Sequence, residues 1–130
     1  MNSTFRYLFN LAFENGASVI VDSMVPVPFY NAKRKLIVVN DYQSFKMAHE
    51  VAHMLTETKD SEVLYLTYSK ASIEGNANRL AIKLLARYYF EDLDKEKYNV
   101  DRFMKCYQIP SYLRDYCIKA IRGIVHTPMT

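Results

Sequence analysis

Two histidines four residues apart enclose a glutamate in the stretch His49-Glu50-Val51-Ala52-His53. On an α-helix, side chains four positions apart lie on one face, so both imidazoles can bind one zinc ion. The glutamate between them is rotated by about 100° from its neighbour and lies beside that ion, where it can act on a water molecule. The spacing therefore predicts a metal centre with His49 and His53 as ligands and Glu50 as the catalytic residue.

The residues around the motif predict a helix that is buried over most of its surface. Residues 45–57 contain neither proline nor glycine, and many of them are good helix formers. At 100° per residue, both histidines and the glutamate fall in one narrow polar strip with apolar side chains on each side. Such a helix is expected to lie in the core, with its polar strip along a cleft.

A catalytic zinc ion needs a third protein ligand and one open position for water. One known extension of the motif would require glycine at position 56 and histidine at position 59, but Thr56 and Lys59 stand there. The only other histidine, His126, is followed by Thr-Pro, and this context predicts a chain end rather than a ligand. The third ligand is therefore expected to be a carboxylate.

Several carboxylates follow the motif in sequence. Glu57 continues the same helix one turn beyond His53 and would have to fold back to reach the metal. Asp60 and Glu62 lie in a predicted loop and stay open as alternatives.

Glu74 is the favoured third ligand because it faces inward on a second predicted helix. Apolar residues recur there at helical spacing over four turns, at Ile73, Ala77, Leu80, Ala81, Leu84, Leu85 and Tyr88. Glu74 lies about 55° from the centre of this apolar face, and a buried carboxylate is costly unless it is paired or bound to a metal. The alternative is that Glu74 only stabilises the first turn, where the helix dipole favours an acidic side chain.

The two motif blocks together resemble the ImmA/IrrE family of metallo-endopeptidases. That family combines H-E-x-x-H with E-x-E-A-N-x-F-A at the head of a second helix. The second block here reads Glu74-Gly75-Asn76-Ala77-Asn78-Arg79-Leu80-Ala81. The first glutamate, the Ala-Asn pair and the last alanine are kept, whereas Asn76 replaces the second glutamate and Leu80 the phenylalanine. The resemblance covers residues 36–85.

The resemblance implies a zinc-dependent endopeptidase with one zinc ion per chain, held by His49, His53 and Glu74. Zinc would acidify a water molecule and polarise the scissile carbonyl, and Glu50 would pass the proton of the water to the leaving amine.

Other side chains are expected to support these groups. Asn76 and Asn78 are expected to contact the ligands rather than the metal. An additional oxyanion donor is also expected, and the eleven tyrosines include Tyr65 and Tyr68 as candidates.

Members of this family act as antirepressors that cleave or otherwise inactivate a helix-turn-helix repressor. The resemblance therefore implies a cytoplasmic protein of bacterial, phage or mobile-element origin whose partner is such a repressor. The alternative is a non-catalytic binding module that sequesters a protein partner. The replacement of the second family glutamate by Asn76 and the small size of the chain are compatible with this alternative.

Composition fits one soluble domain. The chain has 130 residues, of which 50% are hydrophobic. The net charge is +3, and the basic residues are dispersed along the sequence rather than clustered as in a nucleic-acid-binding surface.

No apolar run is long enough to cross a membrane, and the charged N-terminal stretch predicts a helix rather than a signal peptide. Cys106 and Cys117 are expected to be reduced thiols.

These patterns predict an α+β fold with a zincin-like core at residues 17–90. A small, mostly antiparallel sheet would pack on the motif helix and the second ligand-bearing helix, with extra N- and C-terminal helices. Residues 17–21 and 35–39 are β-rich, and Pro26 and Pro28 are expected to prevent regular pairing between them. The C-terminal region, residues 98–125, is expected to pack on the core rather than bind DNA, because its last helix has a wide apolar face and includes Asp115.

Overall fold

The computed structural model describes residues 2–57 and 70–126, with side chains described for 2–57 and 71–125. The helices in these ranges are α1 Ser3–Glu14, α2 Ser44–Thr56, α3 Lys70–Phe90, α4 Val100–Cys106 and α5 Arg114–His126. Short 3₁₀ turns occupy Lys95–Lys97 and Ser111–Leu113, and the strands are β1 Ser18–Val21, β2 Phe29–Asn31 and β3 Leu36–Val39. The predicted α+β class is confirmed.

The sheet is mixed rather than mostly antiparallel. Its strand order is β1-β3-β2, with β3 parallel to β1 and antiparallel to β2. The expectation that prolines would keep the two β-rich segments from pairing was wrong, because Ser18 pairs with Leu36 and Val21 with Val39. Pro26 and Pro28 lie in the connection that carries the chain from β1 to β2 on the far side of β3, so they interrupt no hydrogen-bonded ladder.

The motif helix α2 lies at the centre of the fold. It contacts α1, α3, β2 and β3, and its apolar residues Met47, Ala48, Val51 and Ala52 are fully buried. The helix begins where the Gln43 side chain accepts a hydrogen bond from the Lys46 backbone N–H at 2.8 Å. The same side chain donates to the Tyr107 carbonyl at 3.1 Å, which connects the start of α2 to the C-terminal region.

The C-terminal helices pack on this core as expected. Helix α5 contacts α3 and α4, and the buried side chains of Leu113 and Cys117 belong to the same apolar cluster as those of α2 and α3. Cys106 is exposed and Cys117 buried, and both are free thiols. None of the helices within residues 2–57 and 70–126 combines the length and the apolar character that crossing a membrane requires.

A buried phenol in this region predicts alkaline destabilisation. The Tyr107 hydroxyl lies 3.1 Å from the Thr4 hydroxyl, and burial raises the pKa of Tyr107 from 10.0 to about 12. The folded protein therefore holds this proton more tightly than the unfolded chain does, so the contribution is fully present below pH 10 and is lost as the pH rises towards 12. We expect ionisation of Tyr107 to lower the free energy of unfolding by about 2–3 kcal/mol over that range.

Urea denaturation of the wild type and of Tyr107→Phe between pH 8 and pH 12 measures this contribution. The stability difference between the two proteins should narrow as the pH rises, because phenylalanine has no proton to lose. A difference that stays constant over this range would contradict the prediction.

Candidate metal centre

The packing of α2 on α3 brings the predicted ligands to one point. Helix α2 contributes His49 and His53, one turn apart, and the second turn of α3 contributes Glu74. The Nε2 atom of His49 lies 2.8 Å from Glu74 Oε2, and the Nε2 atom of His53 lies 3.1 Å from Glu74 Oε1. The two Nε2 atoms are 3.0 Å apart. One carboxylate therefore contacts both imidazoles, and the three predicted ligands lie side by side.

The second nitrogen of each imidazole contacts a side chain outside this triangle. His49 Nδ1 lies 2.8 Å from the Asn78 amide oxygen, and His53 Nδ1 lies 2.9 Å from Glu57 Oε1. Since both oxygens are acceptors, each Nδ1 can donate its proton to them, which in the neutral imidazole leaves Nε2 with a lone pair. Histidines that bind metals are held in this way, with the free nitrogen aimed at the ion.

Three acceptor groups therefore converge within about 3 Å of one another and need a cation or shared protons between them. Zinc bonds of 2.0–2.1 Å in a tetrahedral site would separate the ligand atoms by about 3.3 Å, so shifts of a few tenths of an ångström would suffice. Two imidazoles and one carboxylate also match the donor set of catalytic zinc sites. The residues present fit the implied zinc ion.

Glu50 lies beside the ligands without forming part of this triangle. Its carboxylate joins His49 and His53 in a cluster whose ligand atoms lie within 4.8 Å of one another. Of these two carboxylates, only Glu74 has oxygens in direct contact with both Nε2 atoms, so the geometry favours Glu74 over Glu50 as the candidate third ligand. The Glu50 residue is 5% exposed and lines the same cleft, which is the position expected of a catalytic base.

Three carboxylates surround the two imidazoles: the side chains of Glu50 and Glu57 are buried, whereas that of Glu74 is 36% exposed. Burial raises the pKa of Glu50 to about 7; His53 opposes this shift, and Glu74 and Glu57 add to it. Burial lowers the pKa of His53, but the hydrogen bond to Glu57 and the nearby carboxylates outweigh it and raise that pKa overall. Three carboxylates around two imidazoles favour a bound cation.

A cleft of about 430 Å³ gives access to the centre. Helices α2 and α3 form one wall, and β2 with the segment before it forms the other. The lining residues are Val27, Pro28, Phe29, Tyr30, Phe45, Lys46, His49, Glu50, His53, Glu57 and Glu74. The polar strip of α2 therefore faces a cleft, as its pattern predicted.

No protein-family model, curated protein or solved structure matches this chain. The resemblance to ImmA/IrrE peptidases stays a prediction from the two motif blocks. The geometry of the described residues supports a metal centre independently of that resemblance.

Two supporting residues differ from the expectation. Asn78 contacts a ligand as expected, but Asn76 is exposed and accepts a hydrogen bond from Arg79 at 3.4 Å. Two residues along a helix correspond to a rotation of about 200°, so Asn76 cannot share the inward face of Glu74. Glu57 was considered only as an awkward ligand, yet its side chain is 5% exposed and supports His53. The four-residue spacing from His53 was the signal for this contact.

Other predicted residues fall outside the described part of the chain. Asp60 and Glu62, the alternative ligands, lie there, as do Tyr65 and Tyr68, the candidate oxyanion donors. The side chain of His126 also lies outside it, at the end of α5. Sequence reasoning did not single out Tyr30, which β2 places in the cleft wall.

The contact between Glu57 and His53 predicts a role in zinc affinity. Removal of the carboxylate in Glu57→Ala should raise the zinc dissociation constant about 10- to 100-fold, because the imidazole loses the group that fixes its orientation and tautomer. Glu57→Gln should recover part of the affinity, since its amide oxygen still accepts from Nδ1. Competition with a chromophoric chelator measures the constant, and Glu96→Ala in the exposed 3₁₀ turn is the control. Wild-type affinity in Glu57→Ala would contradict the assignment.

Proposed function

We propose that this chain is a zinc-dependent endopeptidase whose zinc ion is held by His49, His53 and Glu74. The observation that supports this most strongly is the convergence of both Nε2 atoms and the Glu74 carboxylate, while both imidazole Nδ1 atoms contact oxygen acceptors elsewhere. Structural zinc sites are usually closed by four protein ligands, whereas catalytic sites have three and an open position. All three groups here line a cleft, which fits the catalytic kind.

Different side chains of the cleft would have different roles in hydrolysis. Zinc bound there would supply Lewis acidity, which acidifies water and polarises a peptide carbonyl. Glu50 follows His49 directly on α2 and lines the same cleft, so its carboxylate is placed to accept a proton from water and to deliver it to the leaving amine. Asn78 and Glu57 keep the imidazoles oriented throughout.

The sheet offers a way to bind an extended peptide. Strand β2 lies at the edge of the described sheet, pairs with β3 and lines the cleft. Its outer backbone groups can accept an added strand, which would hold a substrate beside Glu50 and the ligands. Val27 and Phe29 are 66% and 44% exposed at the same wall and would contact apolar substrate side chains.

We take the substrate from the family resemblance: a helix-turn-helix repressor of a bacterial, phage or mobile-element regulatory system. Incubation of the zinc-loaded protein with the repressor encoded nearest to it tests this directly, with fragments identified by intact mass. The wild type should give two fragments from one cleavage position, and Glu50→Gln should give none. Equal loss of repressor DNA binding with both proteins, without fragments, would replace proteolysis by sequestration.

A further inference from the structure

A groove between α3 and α5 continues from the metal cleft. Its inner part is a cavity of about 430 Å³ that shares Glu74 with the cleft and also touches Asn78. Its outer part is a cavity of about 600 Å³ that shares Tyr116 and Lys119 with the inner part. We call these two cavities together the α3–α5 groove. A molecule in it could therefore extend to the predicted metal ligands.

The outer part of the groove is basic. The described residues that line it are Arg79, Lys83, Tyr116, Lys119, Ala120 and Gly123, which include three cations and no carboxylate. Arg79 is held in place: its Nη2 donates to the Tyr116 hydroxyl at 3.1 Å, and its guanidinium carbon lies 4.8 Å from the centre of that ring. The cations are thus presented along a groove and are not scattered over the surface.

The charge along this path changes sign. The metal cleft is lined by three glutamates and one lysine, Lys46. The connecting inner part of the groove is lined by Glu74, Asp115 and Lys119. A nucleic-acid backbone would place phosphates against these carboxylates, whereas a peptide can carry acidic residues at one end and neutral ones at the other. The arrangement favours a peptide over a nucleic acid.

We propose that the α3–α5 groove is a docking site for an acidic segment of the protein substrate, and this proposal rests on the proposed peptidase function. Glu74 and Lys83 are nine residues apart on α3, which corresponds to about 14 Å along the helix axis. An extended chain covers this axial distance in about four residues, but Lys83 is also rotated by about 180° from Glu74 around α3, so the path along the groove is longer. The acidic residues of the substrate are therefore expected more than about four positions from the cleaved bond.

Fluorescence anisotropy tests the groove without cleavage. The probe is a fluorescein-labelled twelve-residue peptide that carries a run of glutamates, compared with the same peptide in which glutamine replaces each glutamate. The protein is the full chain with Glu50→Gln, with and without added zinc. The glutamate peptide should bind more tightly, and Lys83→Glu combined with Lys119→Glu should weaken its binding at least about tenfold.

The matched control has the same change of charge away from the groove. Lys95→Glu combined with Lys97→Glu alters two exposed lysines of a 3₁₀ turn that do not line the groove, and binding should stay close to that of the parent. Circular dichroism checks that both double variants are folded. Equal weakening by the two variants would show attraction to net charge alone and would overturn the proposal.

Two further arms separate the remaining outcomes. A duplex DNA that binds more tightly than the peptide, and loses binding in the groove variant only, would make the groove a nucleic-acid site and overturn the proposal. If the binding pattern holds but the wild-type protein does not cleave the repressor, the docking site stands and only the peptidase assignment fails. Cleavage of the repressor together with equal binding of the glutamate and glutamine peptides would overturn the docking site alone.

Discussion

Replacement of Glu50 by glutamine is expected to slow peptide hydrolysis about 10³-fold while one zinc ion stays bound per chain. Glutamine keeps the volume of the glutamate in a position that is 5% exposed, so the packing of α2 should be unchanged. It has no carboxylate to accept a proton from water or to pass one to the leaving amine. Since Glu74 and not Glu50 contacts both Nε2 atoms, zinc should remain.

Steady-state cleavage of the repressor, together with elemental analysis of the same samples, measures both quantities. Glu91→Gln is the matched control, because Glu91 is exposed and lies beyond the end of α3. Hydrolysis at the wild-type rate in Glu50→Gln would show that another group is the base. Loss of zinc from Glu50→Gln would instead make Glu50 a ligand.

Zinc is expected to stabilise the wild type and to have little effect on Glu74→Ala. A ligand that binds only the folded state adds about 2.7 kcal/mol to the free energy of unfolding when its free concentration is 100 times its dissociation constant. Loss of Glu74 removes the carboxylate that contacts both imidazoles, so affinity should fall by more than the roughly 10- to 100-fold that loss of a supporting hydrogen bond causes.

The metal-free Glu74→Ala variant should be about as stable as the metal-free wild type. Removal of one carboxylate relieves repulsion with Glu50, whose pKa Glu74 raises, but it also removes the attraction between Glu74 and His53. Thermal unfolding with chelator and with added zinc measures both effects, and Asn76→Ala on the exposed face of α3 is the control. A zinc-dependent shift in Glu74→Ala equal to that of the wild type would exclude Glu74 as a ligand.

The residues of the centre were predictable because their signals are local. The spacing of His49 and His53 fixes their common face on any helix, and the apolar periodicity of α3 fixes the inward direction of Glu74. The convergence of two helices on one point does not follow from either pattern alone. It was inferred from a motif pair and from the cost of a buried carboxylate. The second premise was wrong, because the Glu74 side chain is 36% exposed, but the packing of α2 on α3 does bring these groups into contact.

The sheet topology could not be predicted from local sequence patterns. Strand β2 has three residues after Pro28, too few for an alternating pattern to stand out. Whether β1 and β3 run parallel depends on the path that the chain takes between them, which no local pattern records. The contact of Glu57 depends on its side-chain conformation, so its spacing indicated a neighbour of His53 but not its function.

The two hydrogen bonds of Gln43 have a consequence for how this protein can be rebuilt. One side chain starts the helix that carries the ligands and also holds the Tyr107 carbonyl in the C-terminal region. A chimera that exchanged the segment from Val100 onwards with that of another protein would leave the Gln43 amide without its acceptor. A replacement with a carbonyl at the same place would keep this side chain fixed at the start of α2. The C-terminal region is therefore coupled to the ligand-bearing helix, and a chimera that keeps this acceptor is expected to be more stable than one that lacks it.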